Sequence, residues 1–107
     1  MRKDKFGYYY PAYRYYVSNA FRWYFGHPDQ PGEETRPAQR ENWSACDVSI
    51  KKEDPMMCTI LKELYTSMDT MENAIFAASK KYDLTPDRLW TKVGQLERRF
   101  AYERGLI

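Results

Sequence analysis

Apolar side chains recur every three or four residues through the second half of the chain, which is the spacing of one face of an α-helix. The recurring positions are Met57, Leu61, Leu64, Met68, Met71, Ile75, Ala78 and Tyr82. Asp54 is suited to cap the first turn, and Pro55 to hold the first helical position, where its missing N–H costs nothing. The pattern predicts one long helix from Pro55 to Tyr82, with its weakest point at residues 67–70, where short polar side chains compete for backbone hydrogen bonds.

A second apolar stripe follows at once, with the same spacing. Its members are Leu89, Val93, Leu96 and Phe100. Thr85 and Pro86 give it a cap and a first-position proline, and Gly105 stands where helices commonly end. Two stripes joined by so few residues predict an antiparallel helical hairpin. The second helix is the shorter one, so another segment is expected to cover the start of the first.

The N-terminal quarter is rich in aromatic residues, and residues 6–25 hold eleven of the eighteen in the chain. Pro11 is predicted to begin a helix that ends near Gly26. We expect its apolar face to comprise Tyr13, Tyr16, Val17, Ala20 and Tyr24. Three interpretations are open. The helix could pack over the start of the long helix, it could stack on nucleic-acid bases with Arg14 and Arg22 at phosphates, or it could bind a protein. The residues favoured for a protein interface are Tyr8, Tyr9, Tyr10, Tyr15 and Trp23.

Residues 26–54 have the composition of an irregular acidic connector, with three prolines and the acidic pair Glu33 and Glu34. Trp43, Val48 and Ile50 are expected to pin its second half to the helices. Formal charges come to about +4 for residues 1–25, about −3 for 26–55 and about +1 for the remainder. The sequence therefore predicts a single all-α domain over 1–107, made of an aromatic basic helix (1–25), the connector (26–54) and the hairpin (55–107).

Candidate chemistry is sparse. His27 is the single histidine, and Cys46 and Cys58 form no CxxC pair. A nucleophile needs an oriented base, and a metal site needs several ligands at compatible spacing, so we expect no catalysis, no metal and no cofactor. No apolar run is typical of a signal peptide or a membrane span. The cysteines are predicted to be free thiols in a reducing cytoplasm.

Residues 78–93 have the spacing of a helix-turn-helix unit, in which the second helix enters the major groove of DNA. Leu84, Leu89 and Val93 would pack inward, while Asp83 takes the place where a turn glycine is usual. The residues expected to contact nucleic acid are Arg88, Trp90, Thr91, Lys92 and Gln95, with Arg98 and Arg99 further along. An ordinary helical hairpin produces the same apolar spacing, so both interpretations stay open.

Three short segments near the N-terminus suggest a relationship. They are Lys5-Phe6-Gly7-Tyr8, then Tyr13-Arg14-Tyr15-Tyr16-Val17, and Arg22-Trp23-Tyr24. Together they resemble the opening of small bacteriophage late-operon transcriptional regulators. The resemblance covers about twenty residues, and it implies an origin in a phage or another mobile element.

Two functional hypotheses follow. In the first, the protein is a nucleic-acid-binding regulator that uses the helix-turn-helix-like unit and the basic N-terminus. In the second, it inhibits a host nucleic-acid-handling defence complex, in the manner of an anti-CRISPR protein, by direct protein binding. There Glu33 and Glu34 would mimic phosphates and the aromatic residues would supply anchors. The apolar stripe is also compatible with a homodimer.

Overall fold

The computed structural model describes residues 14–106, and this part of the chain is all-helical without a strand. The all-α class predicted from the sequence is therefore confirmed for the described residues. Five helices follow one another: α1 (Arg14–Phe25), α2 (Pro37–Ile50), α3 (Pro55–Thr66), α4 (Met71–Tyr82) and α5 (Pro86–Glu103).

The helices share one core. Helix α1 packs on α2, α3 and α5, while α5 also contacts α2 and α4, and α3 contacts α4. Phe21 lies at the centre, with its ring centroid 5.2 Å from that of Tyr65 and 5.6 Å from that of Phe100. All three side chains are excluded from solvent, so an aromatic cluster joins α1, α3 and α5. Burial of such large rings is a main source of stability in a chain of this size.

The single long helix expected from the sequence is wrong, because the chain leaves helical geometry between α3 and α4. Short polar side chains satisfy the backbone there: Ser67 Oγ accepts from the N–H of Asp69, and Thr70 Oγ1 caps α4 by accepting from the N–H of Asn73. Met68, a member of the predicted stripe, is fully exposed. The break falls at the residues predicted to be the weakest point of the helix.

The irregular connector is also wrong in its second half, since residues 37–50 form α2. Pro37 holds the first helical position, and Trp43, Cys46 and Ile50 lie on the buried face at helical spacing. Val48, expected to help pin this segment, is exposed instead. Trp43 Nε1 donates to the carbonyl of His27 at 2.8 Å, so the tryptophan ties α2 to the segment that follows α1.

Helix α1 buries most of the predicted face, including Tyr24, which is partly buried against the core, and adds two residues that were not predicted. Val17 and Ala20 are buried as expected, but the residues beside them in the core are Arg14 and Phe21. Tyr16 is exposed, and its hydroxyl accepts from Asn42 Nδ2 at 2.8 Å at the edge of α2. The predicted start at Pro11 and the Tyr13 position lie outside the described residues.

Candidate functional site

The connection between α4 and α5 is short and defined by its backbone. Asp83 ends α4 in the left-handed conformation, with φ of 54° and ψ of 47°. Thr85 caps α5, its side chain accepting from the N–H of Arg88 at 3.2 Å, and Pro86 follows at the first helical position. The left-handed residue falls at the position where a helix-turn-helix commonly has glycine, and Asp is one of the few other residues that adopt this conformation readily.

Helix α5 is covered on three sides by α1, α2 and α4. Leu89, Val93 and Leu96 on its inner side are excluded from solvent. One stripe faces outward, and we call it the α5 outer face: Arg88, Thr91, Gln95, Arg98 and Tyr102, all exposed. These positions are three or four residues apart, so they line one side of the helix. From Arg88 to Arg98 the stripe is about 15 Å long at 1.5 Å per residue.

Gly94 borders this face and is exposed as well. Apart from its two chain neighbours and the backbone of its own helix, nothing among the described residues lies within 4 Å of the position that a Cβ would occupy there. A glycine inside a helix lowers stability by roughly 1 kcal/mol relative to alanine. Packing within the described fold therefore gives no reason for a glycine at this position.

Lys92 and Arg99, both predicted for a nucleic-acid site, are engaged by the protein itself. Lys92 Nζ lies 3.0 Å from Glu53 Oε2, and Arg99 Nη2 lies 2.7 Å from Glu53 Oε1. Arg99 also donates to the carbonyl of Ser49 at 3.2 Å. Burial raises the pKa of Glu53, but the hydrogen bonds from Arg99 and Lys92 outweigh that effect and hold the pKa below its usual value. The carboxylate is therefore ionised at neutral pH and fixes both cations on one flank of the α5 outer face.

Arg14 and Trp90, two further predicted contacts, also turn inward. Arg14 Nε donates to Glu97 Oε1 at 2.9 Å in a buried pair, and the Arg14 guanidinium lies 5.4 Å from the Trp90 ring centroid. Ser18 and Tyr65 donate to the other oxygen of Glu97 at 2.9 and 2.7 Å. Burial raises the pKa of Glu97, against the opposing influence of these hydrogen bonds and the Arg14 charge. This cluster joins α1, α3 and α5, and it lies in the interior of the protein.

An open hollow of about 570 Å³ lies beside the C-terminal half of α5. It is lined by Lys52, Gln95, Arg98, Arg99, Tyr102 and Glu103. Lys52 comes from the turn between α2 and α3, and sequence reasoning missed it because α2 itself was not predicted. Among the described residues, neither Lys52 nor Arg98 forms an ion pair. The hollow thus continues the α5 outer face onto a second element.

The remaining predicted site residues are not gathered on α5. Arg22 is exposed on α1, where it donates to Asn19 Oδ1 at 3.4 Å. Trp23 stacks on His27 with ring centroids 4.1 Å apart, and Tyr15 is 76 % exposed. Glu33 and Glu34 are exposed in the segment between α1 and α2. Tyr8, Tyr9 and Tyr10 lie outside the described residues.

Within residues 14–106, no group of three His, Cys, Asp or Glu side chains is placed to hold a metal ion. None of the described helices is both long and apolar enough to cross a membrane. Cys46 and Cys58 are free thiols.

No protein-family model matches the chain, and neither the curated proteins nor the solved structures gave a match.

Proposed function

We propose that the protein is a non-catalytic, DNA-binding regulator that presents the α5 outer face to the major groove of a duplex. The observation that carries this proposal is the partition of side chains along α5. Trp90, Lys92 and Glu97 are used within the fold, whereas Arg88, Thr91, Gln95 and Arg98 project from the side of α5 that no other described helix covers. The major groove, about 12 Å wide, admits one α-helix with its side chains directed at base edges.

The outward residue types suit base recognition. Arginine pairs with the two acceptors of guanine, glutamine pairs with adenine, and threonine contacts several bases or the thymine methyl. In helix-turn-helix proteins the first turns of the recognition helix make these contacts. We therefore assign Arg88, Thr91 and Gln95 to base edges. Trp90, Lys92, Arg99 and Arg14 are left out of this set because their contacts are within the protein.

Gly94 supports the same surface independently. An exposed glycine in the middle of a helix is unfavourable for the folded state, and no described neighbour requires it. A glycine does allow another molecule to approach the helix backbone closely. Gly94 lies three residues from Thr91 and four from Arg98, so it adjoins the side of α5 that the proposal turns toward DNA.

Acidic residues limit where phosphates can lie. Asp87 is exposed in the first turn of α5, next to Arg88. A carboxylate repels the DNA backbone, so phosphate contacts are expected away from Asp87, toward the C-terminal half of the helix. This orientation directs the first turns of α5 into the groove.

The test is selection of bound sequences from a randomised duplex pool, followed by binding measurements on the selected duplex at several salt concentrations. The wild-type protein is expected to enrich a recurrent short sequence and to bind it less tightly as salt rises. Arg88→Gln should weaken binding by about 1–3 kcal/mol and relax the preference at one base pair. Lys62→Gln, which removes an equal charge from the exposed side of α3, is the control and should change neither the affinity nor the sequence preference. A wild-type protein that shows no salt-dependent duplex binding would refute the proposal.

A second candidate is inhibition of a nucleic-acid-handling host protein. Exposed Tyr15 on α1 favours it, because a tyrosine so open to solvent is typical of interface anchors. Glu33 and Glu34 are exposed in the segment that follows α1. In this case Tyr15→Ala would abolish capture of the protein partner, while Arg88→Gln would leave it unchanged. The two candidates therefore differ in which substitution weakens binding: Arg88→Gln for the DNA-binding proposal, and Tyr15→Ala for the inhibitor.

A further inference from the structure

We infer that the hollow beside α5 is a phosphate-binding site. Its cationic side chains come from two elements, with Lys52 on the turn after α2 and Arg98 and Arg99 on α5. Phosphate oxygens accept hydrogen bonds from such groups, and arginine can offer two parallel N–H donors. This inference rests on the proposed function for its natural ligand, a phosphate of the DNA backbone.

Arg99 provides a fixed part of the site. Its guanidinium is held at 2.7 Å by Glu53 and at 3.2 Å by the Ser49 carbonyl, so its position is set before any ligand arrives. The Glu53 side chain is only 4 % exposed, which leaves the carboxylate shielded behind the cations that it binds. Glu53 is thus a positioning residue for the site. A prearranged guanidinium loses less conformational freedom on binding than a mobile one.

The net charge of the residues at and behind the hollow is positive even when the carboxylates paired with the cations are counted. The cations are Lys52, Lys92, Arg98 and Arg99, and the carboxylates are Glu53 and Glu103, so two positive charges are in excess. Glu103 lies at the lining and opposes the anion. Tyr102, also in the lining, brings a hydroxyl that can donate to a phosphate oxygen.

The location agrees with the orientation proposed for α5. Arg88, Thr91 and Gln95 occupy the first half of the helix, and the hollow begins at Gln95 and continues to Glu103. When the first turns of a helix lie in the major groove, its later turns lie close to the DNA phosphates at the edge of that groove. Phosphate contacts position a protein on DNA, whereas base contacts give sequence preference. The hollow would therefore contribute affinity that is independent of sequence.

The test uses Lys52→Gln and Arg98→Gln, because neither side chain forms an ion pair within the described fold. Affinity for the selected duplex is measured over a range of salt concentrations. Removing one phosphate-binding cation should make the slope of log affinity against log salt less steep by about 0.9. Both variants are expected to show this decrease while they keep the wild-type sequence preference. Lys62→Gln again serves as the control, with an unchanged slope. Slopes equal to that of the wild type in both variants would overturn the assignment, even if Arg88→Gln still changed the preference.

A separate arm applies if the wild-type protein binds no duplex, the result that would refute the proposed function. Inorganic phosphate is then titrated into the ¹⁵N-labelled full chain, and amide shifts are followed by NMR. Saturable shifts around Lys52 and Arg98 that disappear in Lys52→Gln would retain the site, with a free phosphate-bearing molecule as its ligand. Absence of such shifts would overturn it.

Discussion

The Glu53 carboxylate binds two α5 cations within the protein, and the sequence alone does not show whether these cations are paired or free. Lys92 and Arg99 are seven residues apart on α5, and both form an ion pair with the Glu53 carboxylate, which lies in the turn before α3. Charged residues spaced along a helix usually face water, so the sequence could not tell these two from Arg88 and Arg98. The difference depends on a tertiary contact, because Glu53 is placed by α2, a helix that was not predicted. Pattern reasoning thus identified α5 as the candidate helix but not which of its cations are available.

At the scale of single residues, we predict that Glu53→Gln lowers the free energy of unfolding by about 1–3 kcal/mol at neutral pH, through loss of the two ion pairs with Lys92 and Arg99. The pKa of Glu53 is lower in the folded protein than in the unfolded chain. Its contribution is therefore complete above the unfolded pKa of roughly 4.3 and is lost as pH falls through the folded pKa. Denaturant titrations should show the gap between wild type and variant shrinking below about pH 4.

Glu33→Gln is the matched control for this prediction, since Glu33 is exposed between α1 and α2. Its stability should follow that of the wild type within about 0.5 kcal/mol. A gap for Glu53→Gln that stayed constant down to about pH 3 would contradict the role given to the carboxylate.

Local polarity overrides apolar spacing at the junction of α3 and α4. The spacing alone continues through Met68, but Ser67, Asp69 and Thr70 offer the backbone alternative hydrogen bonds and end the helix. Leu64 and Ile75, on either side of the junction, are both buried as the stripe requires. Helix α2 shows the converse case, since the surrounding proline, glycine and acidic residues masked the helical spacing of Trp43, Cys46 and Ile50. Local spacing predicted most of the helices, and the predicted caps Asp54 and Thr85 are confirmed. The break between α3 and α4 depended instead on short side chains that hydrogen-bond to the backbone.

Two substitutions in the same predicted stripe test whether α3 and α4 are separate helices or one continuous helix. Leu64→Ala removes a buried side chain and should lower the free energy of unfolding by about 2–5 kcal/mol. Met68→Ala changes a side chain that is 102 % exposed and should alter stability by no more than about 0.5 kcal/mol. Thermal and denaturant unfolding give both values. Comparable losses of stability in the two variants would mean that Met68 is packed and that the helix continues.

On the scale of the whole molecule, α5 is held by helices from both the N-terminal and the C-terminal parts of the described fold. Helices α1, α2 and α4 cover three of its sides, and the Glu97 cluster fastens α1 and α3 to it. A helix enclosed in this way is held rigidly, which suits a surface that must present side chains in fixed directions. The side that no other helix of residues 14–106 covers carries Arg88, Thr91, Gln95 and Arg98, and the hollow extends it to Lys52.

Gly94→Ala tests most directly whether a partner approaches this side of α5. Apart from its chain neighbours and its own helix backbone, the methyl group meets no described atom of the protein, and alanine favours the helix, so stability should rise by about 0.5–1 kcal/mol. The same methyl group would stand between α5 and the duplex, so affinity for the selected DNA should fall. Ala77→Gly, an exposed change on α4, is the control and should lower stability with affinity unchanged. A Gly94→Ala protein that is more stable and binds DNA as tightly as the wild type would contradict the account.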